Sequence, residues 1–123
     1  MFEVELPYPP SVNHYYRRIG SRTIISREGR RYRQKVIAAL AGLGLKTLEG
    51  PLEVYIALFP PDRRRRDIDN TQKALLDSLQ HGGAYRDDSQ IKKLVAEMHD
   101  DIVPGGRVVV AIRKRHGHGT PTQ

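Results

Sequence analysis

Asp67 and Asp69 stand two residues apart, Asp87 and Asp88 are adjacent, and Lys73 follows Asp69 by four positions. Carboxylates are hard oxygen ligands. A magnesium ion takes one or two of them and fills the rest of its octahedral shell with water and substrate phosphate. In an extended segment, residues i and i+2 point to the same side, so Asp67 and Asp69 are expected to face one cation, with Ile68 turned into the core. If the strand after Asp88 runs beside the strand before Asp67, Asp87 or Asp88 completes the site. Lys73, one helical turn beyond Asp69, would contact a scissile phosphate or orient water, and would counter the charge that grows in a transition state.

These acids adjoin Arg63, Arg64, Arg65 and Arg66. Four arginines cannot all pair with Asp62, Asp67 and Asp69. A phosphate backbone relieves their repulsion, because guanidinium forks match phosphate oxygens. Arg17 and Arg18, interleaved with Tyr15 and Tyr16, form a second basic and aromatic stretch of the kind that binds nucleic acid. A plainer reading covers the same residues: Asp beside Arg is commonly a solvated ion pair, Asp69 a helix cap, Asp69 and Lys73 an i,i+4 pair, and Asp87-Asp88 a turn. Spacing alone leaves both readings open. His116 and His118 lack further ligands and make a poor metal site.

The elements that position these groups follow from periodicity. Phe2 to Leu6 alternates as a strand, and Pro7, Pro9 and Pro10 stop it. SVNHYYRRIGSR reads as an ordered loop, with Thr23 to Ile25 briefly extended. Ser26 caps a helix in which Tyr32, Val36, Leu40 and Leu43 recur at helical spacing; Gly42 and Gly44 mark its end, and Arg30, Arg31, Arg33 and Lys35 lie outside. Leu52, Val54, Ile56 and Leu58 alternate as a strand. A second helix is expected from about Asn70 to Gln80, with Asp69 as N-cap and Leu75, Leu76 and Leu79 buried. Gln90 to His99 fits either period, and a strand–turn–strand hairpin with Val108 to Ile112 is favoured.

The whole is expected to be an α+β single domain: a mixed β-sheet of about four to five strands with two main helices packed on one face. The domain covers residues 1–115 and a flexible tail residues 116–123. The chain has 123 residues, which fits one domain, and Lys plus Arg total 21 against 14 Asp plus Glu, for a net charge of +7. A pI near 10.0 points to a polyanionic partner such as nucleic acid. Cys is absent, which rules out disulfides and thiolate zinc and fits a reducing cytoplasm. No apolar run approaches the ~20 residues of a membrane span, the N-terminus lacks the pattern of a signal peptide, and no phosphate-loop or dinucleotide motif calls for a nucleotide cofactor.

Three blocks carry a resemblance to a family. LPYPPSVNHYYR is similar to the Pro-Pro-Ser-x-Asn entry motif of the RusA family of Holliday junction resolvases, PDRRRRDIDNTQKALLDSL resembles its most specific segment, and YRDDSQI its third block. The resemblance implies a mixed α/β fold, with Gln90 to His99 as a strand. It places metal-binding aspartates on Asp67, Asp69 and Asp88, with Asp87 as runner-up, and the catalytic lysine on Lys73. The aromatic position before the acidic pair falls on Tyr85, with Ala84 at a place often aromatic. Asn13 and Tyr16 join Arg17, Arg18 and Arg63 to Arg66 as candidate DNA contacts. The implied activity is Mg²⁺-dependent cleavage, with Mn²⁺ as a substitute. A homodimer resolves four-way DNA junctions by paired symmetric nicks with 5′-phosphate ends, in recombination and repair, in a bacterial or phage-encoded cytoplasmic protein. The alternatives are a nuclease for forks or flaps and a non-catalytic basic module that binds nucleic acid.

Overall fold

Strict alternation in Leu52–Phe59 (β4) dictates the centre of the fold: Leu52, Val54, Ile56 and Leu58 are buried, and the residues between them are only partly covered. A period of two puts one set against the core. The computed structural model describes residues 1–116, so His118 and the rest of the tail lie outside the described residues. Strands Phe2–Leu6 (β1), Ile91–Met98 (β5) and Arg107–Lys114 (β6) complete a four-stranded sheet of order β1-β6-β4-β5. β6 is antiparallel to both neighbours and β5 is parallel to β4, so the sheet is mixed, as expected.

Both long helices cover one face of this sheet. Arg27–Leu43 (α2) starts at Ser26, whose Oγ accepts the Gly29 N–H at 2.9 Å, and stops at Gly44 with φ of 62°. The left-handed stop is one that glycine adopts without strain. Its Tyr32, Val36 and Leu40 meet Leu75 and Leu79 of Gln72–His81 (α3) over the buried residues of β1, β4 and β6. The opposite sheet face, with Tyr55, Ala57, Val109 and Ala111 half-buried, carries no helix among the described residues.

Four expectations need correction. β5 and β6 do not pair as a hairpin: residues 99–106 cross the end of β4, where His99 N–H donates to Leu58 O at 2.8 Å and Val103 N–H to Pro60 O at 3.0 Å, and β6 inserts between β1 and β4. Burial of Val108, Val110 and Ile112 in the sheet centre favours that place. The expected loop after Pro10 is a single helical turn, Val12–Tyr15 (α1), followed by a two-stranded ribbon, Tyr16–Ile19 (β2) and Arg22–Ile25 (β3). Asp69 is not the N-cap of the second helix but lies inside a 3-10 turn, Ile68–Thr71, that leads into α3. Arg33 is not on the outer face of α2: its guanidinium pairs with Asp77 of α3 at 2.8 Å.

Gly29 sits where α2 presses on α1. A Cβ there would stand 2.4 Å from Tyr15 O and 2.8 Å from Ile25 Cγ1. Backbone cannot give way as a side-chain tip does, so Gly29→Ala is expected to destabilise the fold by about 2 kcal/mol, within the range for overpacking. Urea unfolding measures it; an unchanged midpoint would show that α1 is not held against α2.

Candidate active site

The acidic loop owes its shape to Asp62. Its Oδ1 accepts the Arg64 N–H at 2.9 Å and pairs with Arg66 Nη1 at 2.7 Å, and its Oδ2 lies 3.3 Å from Arg64 Nη2. Hydrogen bonds from Arg66 and the Arg64 backbone hold the Asp62 carboxyl far below the ordinary carboxylate range. Arg66 also donates to the Asp62 and Arg64 carbonyls and leans over the Tyr8 ring at 5.8 Å. The ion pair between the arginine run and an acid therefore falls on Asp62, not on Asp67 or Asp69. Arg63 and Arg65 make no ion pair among the described residues and are exposed.

This leaves Asp67, Asp69 and Asp88 uncommitted. All three are exposed, and among the described residues their carboxylates accept no hydrogen bond from a donor and join no ion pair. Asp67 is extended, with φ of −94° and ψ of 137°, and the chain then tightens into the 3-10 turn that holds Asp69. The extended i,i+2 geometry thus ends at Asp67, and Ile68 is 39% exposed rather than turned into the core. The turn is closed by Thr71, whose hydroxyl donates to Ile68 O at 2.8 Å. Lys73 is exposed in the first turn of α3.

The second acidic pair divides cleanly. Asp87 caps the short turn Asp88–Gln90: its Oδ1 accepts the Ser89 N–H at 3.0 Å, and Gln90 Oε1 accepts the Asp87 N–H at 3.0 Å. The Ser89 bond holds the Asp87 carboxyl below its ordinary value. Among the described residues Asp88 is held through its backbone, whose N–H donates to Gln80 Oε1 at 3.0 Å. That contact ties Asp88 to the side chain of Gln80, seven residues after Lys73 on α3. Among the described residues no three acidic or histidine side chains gather closely enough to hold a metal. The expected shell of three carboxylates is therefore not assembled, although Asp67 and Asp69 remain free hard donors, the type and number that magnesium uses.

The groups nearest Asp67 were not legible as a site. Ser11 and His14 of the α1 region, Glu28 at the start of α2, and Asn70 and Thr71 join Asp67, Arg64, Arg65 and Arg66 around a cleft of about 600 Å³. His14 Nδ1 lies 3.2 Å from Ser11 Oγ. These residues come from three separate stretches, and only the packing of α1 against α2 and α3 brings them together. Asn13 is exposed on α1, and Tyr16 is half-buried, edge-on to Tyr15 at 5.0 Å. Tyr15 is fully buried.

Sequence comparison decides the family. The family described as Endodeoxyribonuclease RusA matches residues 7–113. The chain belongs to the RusA family. This RusA family chain is 42% identical over 113 residues to the crossover junction endodeoxyribonuclease rusA of Enterobacteria phage 82, covering 90% of this chain and 92% of that one. It is 41% identical over 112 residues to the protein of the same name from Enterobacteria phage HK97, with the same coverage. The crossover junction endodeoxyribonuclease RusA of Escherichia coli K12 is 40% identical over 113 residues, again at 90% and 92%. In this family member Ala84 and Tyr85 are 5% and 1% exposed, and the Tyr85 hydroxyl donates to Leu76 O at 2.7 Å. The turn before the acidic pair is thus a buried anchor and presents no aromatic face to a ligand.

Proposed function

We propose that this RusA family member is a magnesium-dependent endonuclease that resolves four-way DNA junctions, in recombination and repair. One observation carries the reading: among the described residues the Asp67, Asp69 and Asp88 carboxylates have no partner, while Asp62 pairs with Arg64 and Arg66. Exposed carboxylates in a strongly basic setting would pair with the nearest guanidinium if structure were their only role. Their freedom suits a ligand that arrives with the substrate.

Asp67 and Asp69 would hold Mg²⁺, or Mn²⁺ in its place; Asp88, the third carboxylate that the family resemblance implies, is not gathered with them among the described residues and would have to draw in when ion and substrate bind. When bound, the ion lowers the pKa of its water and steadies charge on the phosphate. The chain's own groups do the rest. Arg63 and Arg65, which carry no ion pair among the described residues, bind backbone phosphates, and Arg64 and Arg66 extend that surface along the cleft. Arg17, Arg18, Asn13 and Tyr16 continue it from the α1 side. Affinity carried by such contacts falls steeply with salt. Lys73 offsets negative charge growing at the scissile phosphate.

A four-way junction has near two-fold symmetry and needs two opposed cuts, so a two-fold homodimer supplies matched sites and each nick leaves a 5′-phosphate. The named relatives come from phages and bacteria, and no helix of the described residues is long and apolar enough to cross a membrane. A cytoplasmic setting goes with this reading.

The test compares a synthetic four-way junction with a fork, a flap and a linear duplex of the same sequence, each with Mg²⁺ or with a chelator. Selective cutting of the junction that the chelator stops is expected. Binding with no cutting in Mg²⁺ or Mn²⁺ would leave only a nucleic-acid-binding module, and equal cutting of forks or flaps would widen the substrate. Within the same assay, Lys73→Ala is expected to slow cleavage by about 10²-fold, the effect of losing one charge-stabilising donor, with junction affinity nearly unchanged at fixed salt. A loss confined to affinity would make Lys73 a DNA contact instead.

A further inference from the structure

The ribbon β2–β3 has no role in the core. Residues 17–23 are all exposed, and the two strands form their own sheet, apart from the four-stranded one. Gly20, with φ of +61°, begins a two-residue turn, the place where a type II′ hairpin calls for glycine. Beside this turn stands Ile19, 50% exposed. An apolar side chain at the tip of a projecting basic arm gains nothing from the fold.

Cross-strand register shows what surrounds it. Ile19 pairs with Arg22 and Arg17 with Ile24, and residues opposite one another share a face. Arg17 and Ile19 also share that face, being two apart. Ile19 is therefore flanked on one side of the ribbon by Arg17 and Arg22, neither of which makes an ion pair among the described residues. The root of the ribbon is fixed. Ser26 N–H donates to Tyr15 O at 2.9 Å, Ser26 Oγ donates to His14 O at 2.5 Å, and Gly29 lets α2 press against Tyr15 O and Ile25. The residues at that root, His14 and Glu28, line the cleft that holds Asp67. Strands of four residues make the ribbon about 13 Å long.

We infer that the β2–β3 ribbon is a DNA-probing arm whose Ile19 wedges between bases at the branch point, while Arg17 and Arg22 hold the flanking phosphates. This rests on the junction reading above and adds a residue that opens the substrate. Apolar wedges that unstack a base step act in this way in DNA-bending proteins, and bases at a branch point are the least costly to unstack. The buried Tyr85 leaves that task to another group.

The test uses the full-length protein with Ca²⁺ in place of Mg²⁺, and four-way junctions carrying 2-aminopurine at the branch point or several base pairs along one arm. Wild type is expected to raise fluorescence at the branch point only. Ile19→Ser should lose most of that rise and slow cleavage in Mg²⁺. Its junction Kd should rise by no more than about threefold, because phosphate contacts carry the affinity. Ile19→Leu, which keeps an apolar side chain of the same volume, should retain the rise. A full fluorescence rise with Ile19→Ser, or no rise with wild type that binds and cuts the junction, would overturn the wedge and leave the junction reading intact. Equal wild-type affinity for a linear duplex would overturn the junction reading, and the wedge with it.

Discussion

Asp69→Asn is expected to cut four-way junctions about 10³-fold more slowly than wild type while binding them as tightly or slightly more tightly. A bound metal supplies several kcal/mol of charge stabilisation to a phosphoryl transition state, and about 4 kcal/mol corresponds to a rate factor near 10³. Asn keeps the shape of Asp69 but not its charge, and among the described residues the carboxylate accepts no hydrogen bond that the change would break. Removing a negative charge near DNA phosphates favours association, so a separation of cleavage from affinity identifies the carboxylate as a ligand. Single-turnover cleavage and equilibrium binding in Ca²⁺ measure the two effects. Parallel loss of both would mean that Asp69 shapes the loop and does not act in the reaction.

The second large effect concerns stability, and it lies away from the acidic loop. Tyr15 of α1, Arg33 of α2 and Asp77 of α3 meet in one partly buried cluster: the Tyr15 hydroxyl donates to Asp77 Oδ2, Arg33 Nη2 donates to the same oxygen at 2.8 Å, and Arg33 Nη2 stands 3.2 Å from the Tyr15 hydroxyl. The side chains of Arg33 and Asp77 are 23% and 18% exposed. Burial raises the Asp77 carboxyl, but the Tyr15 hydroxyl and the Arg33 guanidinium outweigh it and hold the group below its ordinary value. Asp77→Ala strands a half-buried cation and a phenol. The cost is expected to be about 3 kcal/mol, the lower end for breaking a buried pair, with Tm lower by on the order of 10 °C.

The pH dependence follows from the direction of the shift. A depressed carboxyl pKa stabilises the fold above its unfolded value, about 3.9, and this contribution is lost as pH falls through the folded value. The gap between wild type and Asp77→Ala should therefore be full at neutral pH and narrow below about pH 4. Adding Arg33→Leu to Asp77→Ala should recover part of the loss, since the unpaired cation is gone. Wild-type melting of Asp77→Ala at neutral pH would show that the cluster does not clamp the three helices.

Legibility in the sequence followed locality. The alternation of Leu52–Phe59, the Ser26 cap, the Gly44 stop and the leucines of α3 were readable because each is set by residues within a turn or two. The place of β6 between β1 and β4 was not, because strand order depends on contacts between distant segments. Arg33 looked like an outer residue of α2 because its partner Asp77 lies 44 positions away. Thr23 to Ile25 was read as extended and falls in β3, but β2 and its pairing were missed because these side chains are exposed and leave no buried period, although Gly20-Ser21 between Ile19 and Arg22 is a turn signal. At the site, the aspartates and Lys73 were legible as residue types at suggestive spacings. Which acid pairs with the arginines was not settled by spacing, and Asp62 takes that part. The capping bonds of Asp87 likewise separate it from Asp88 by geometry that adjacent identical residues cannot display in sequence.

The central claim is that this chain cuts branched DNA as a pair of symmetric sites. The most direct measurement maps nicks at single-nucleotide resolution on all four strands of a synthetic junction in Mg²⁺, and tests whether the products can be religated without added phosphate. Paired nicks at matching positions on two opposed strands, with ligatable 5′-phosphate ends and none in a linear duplex of the same sequence, are the predicted result. Unpaired nicks scattered over the four strands, or equal cutting of the linear duplex, would contradict it.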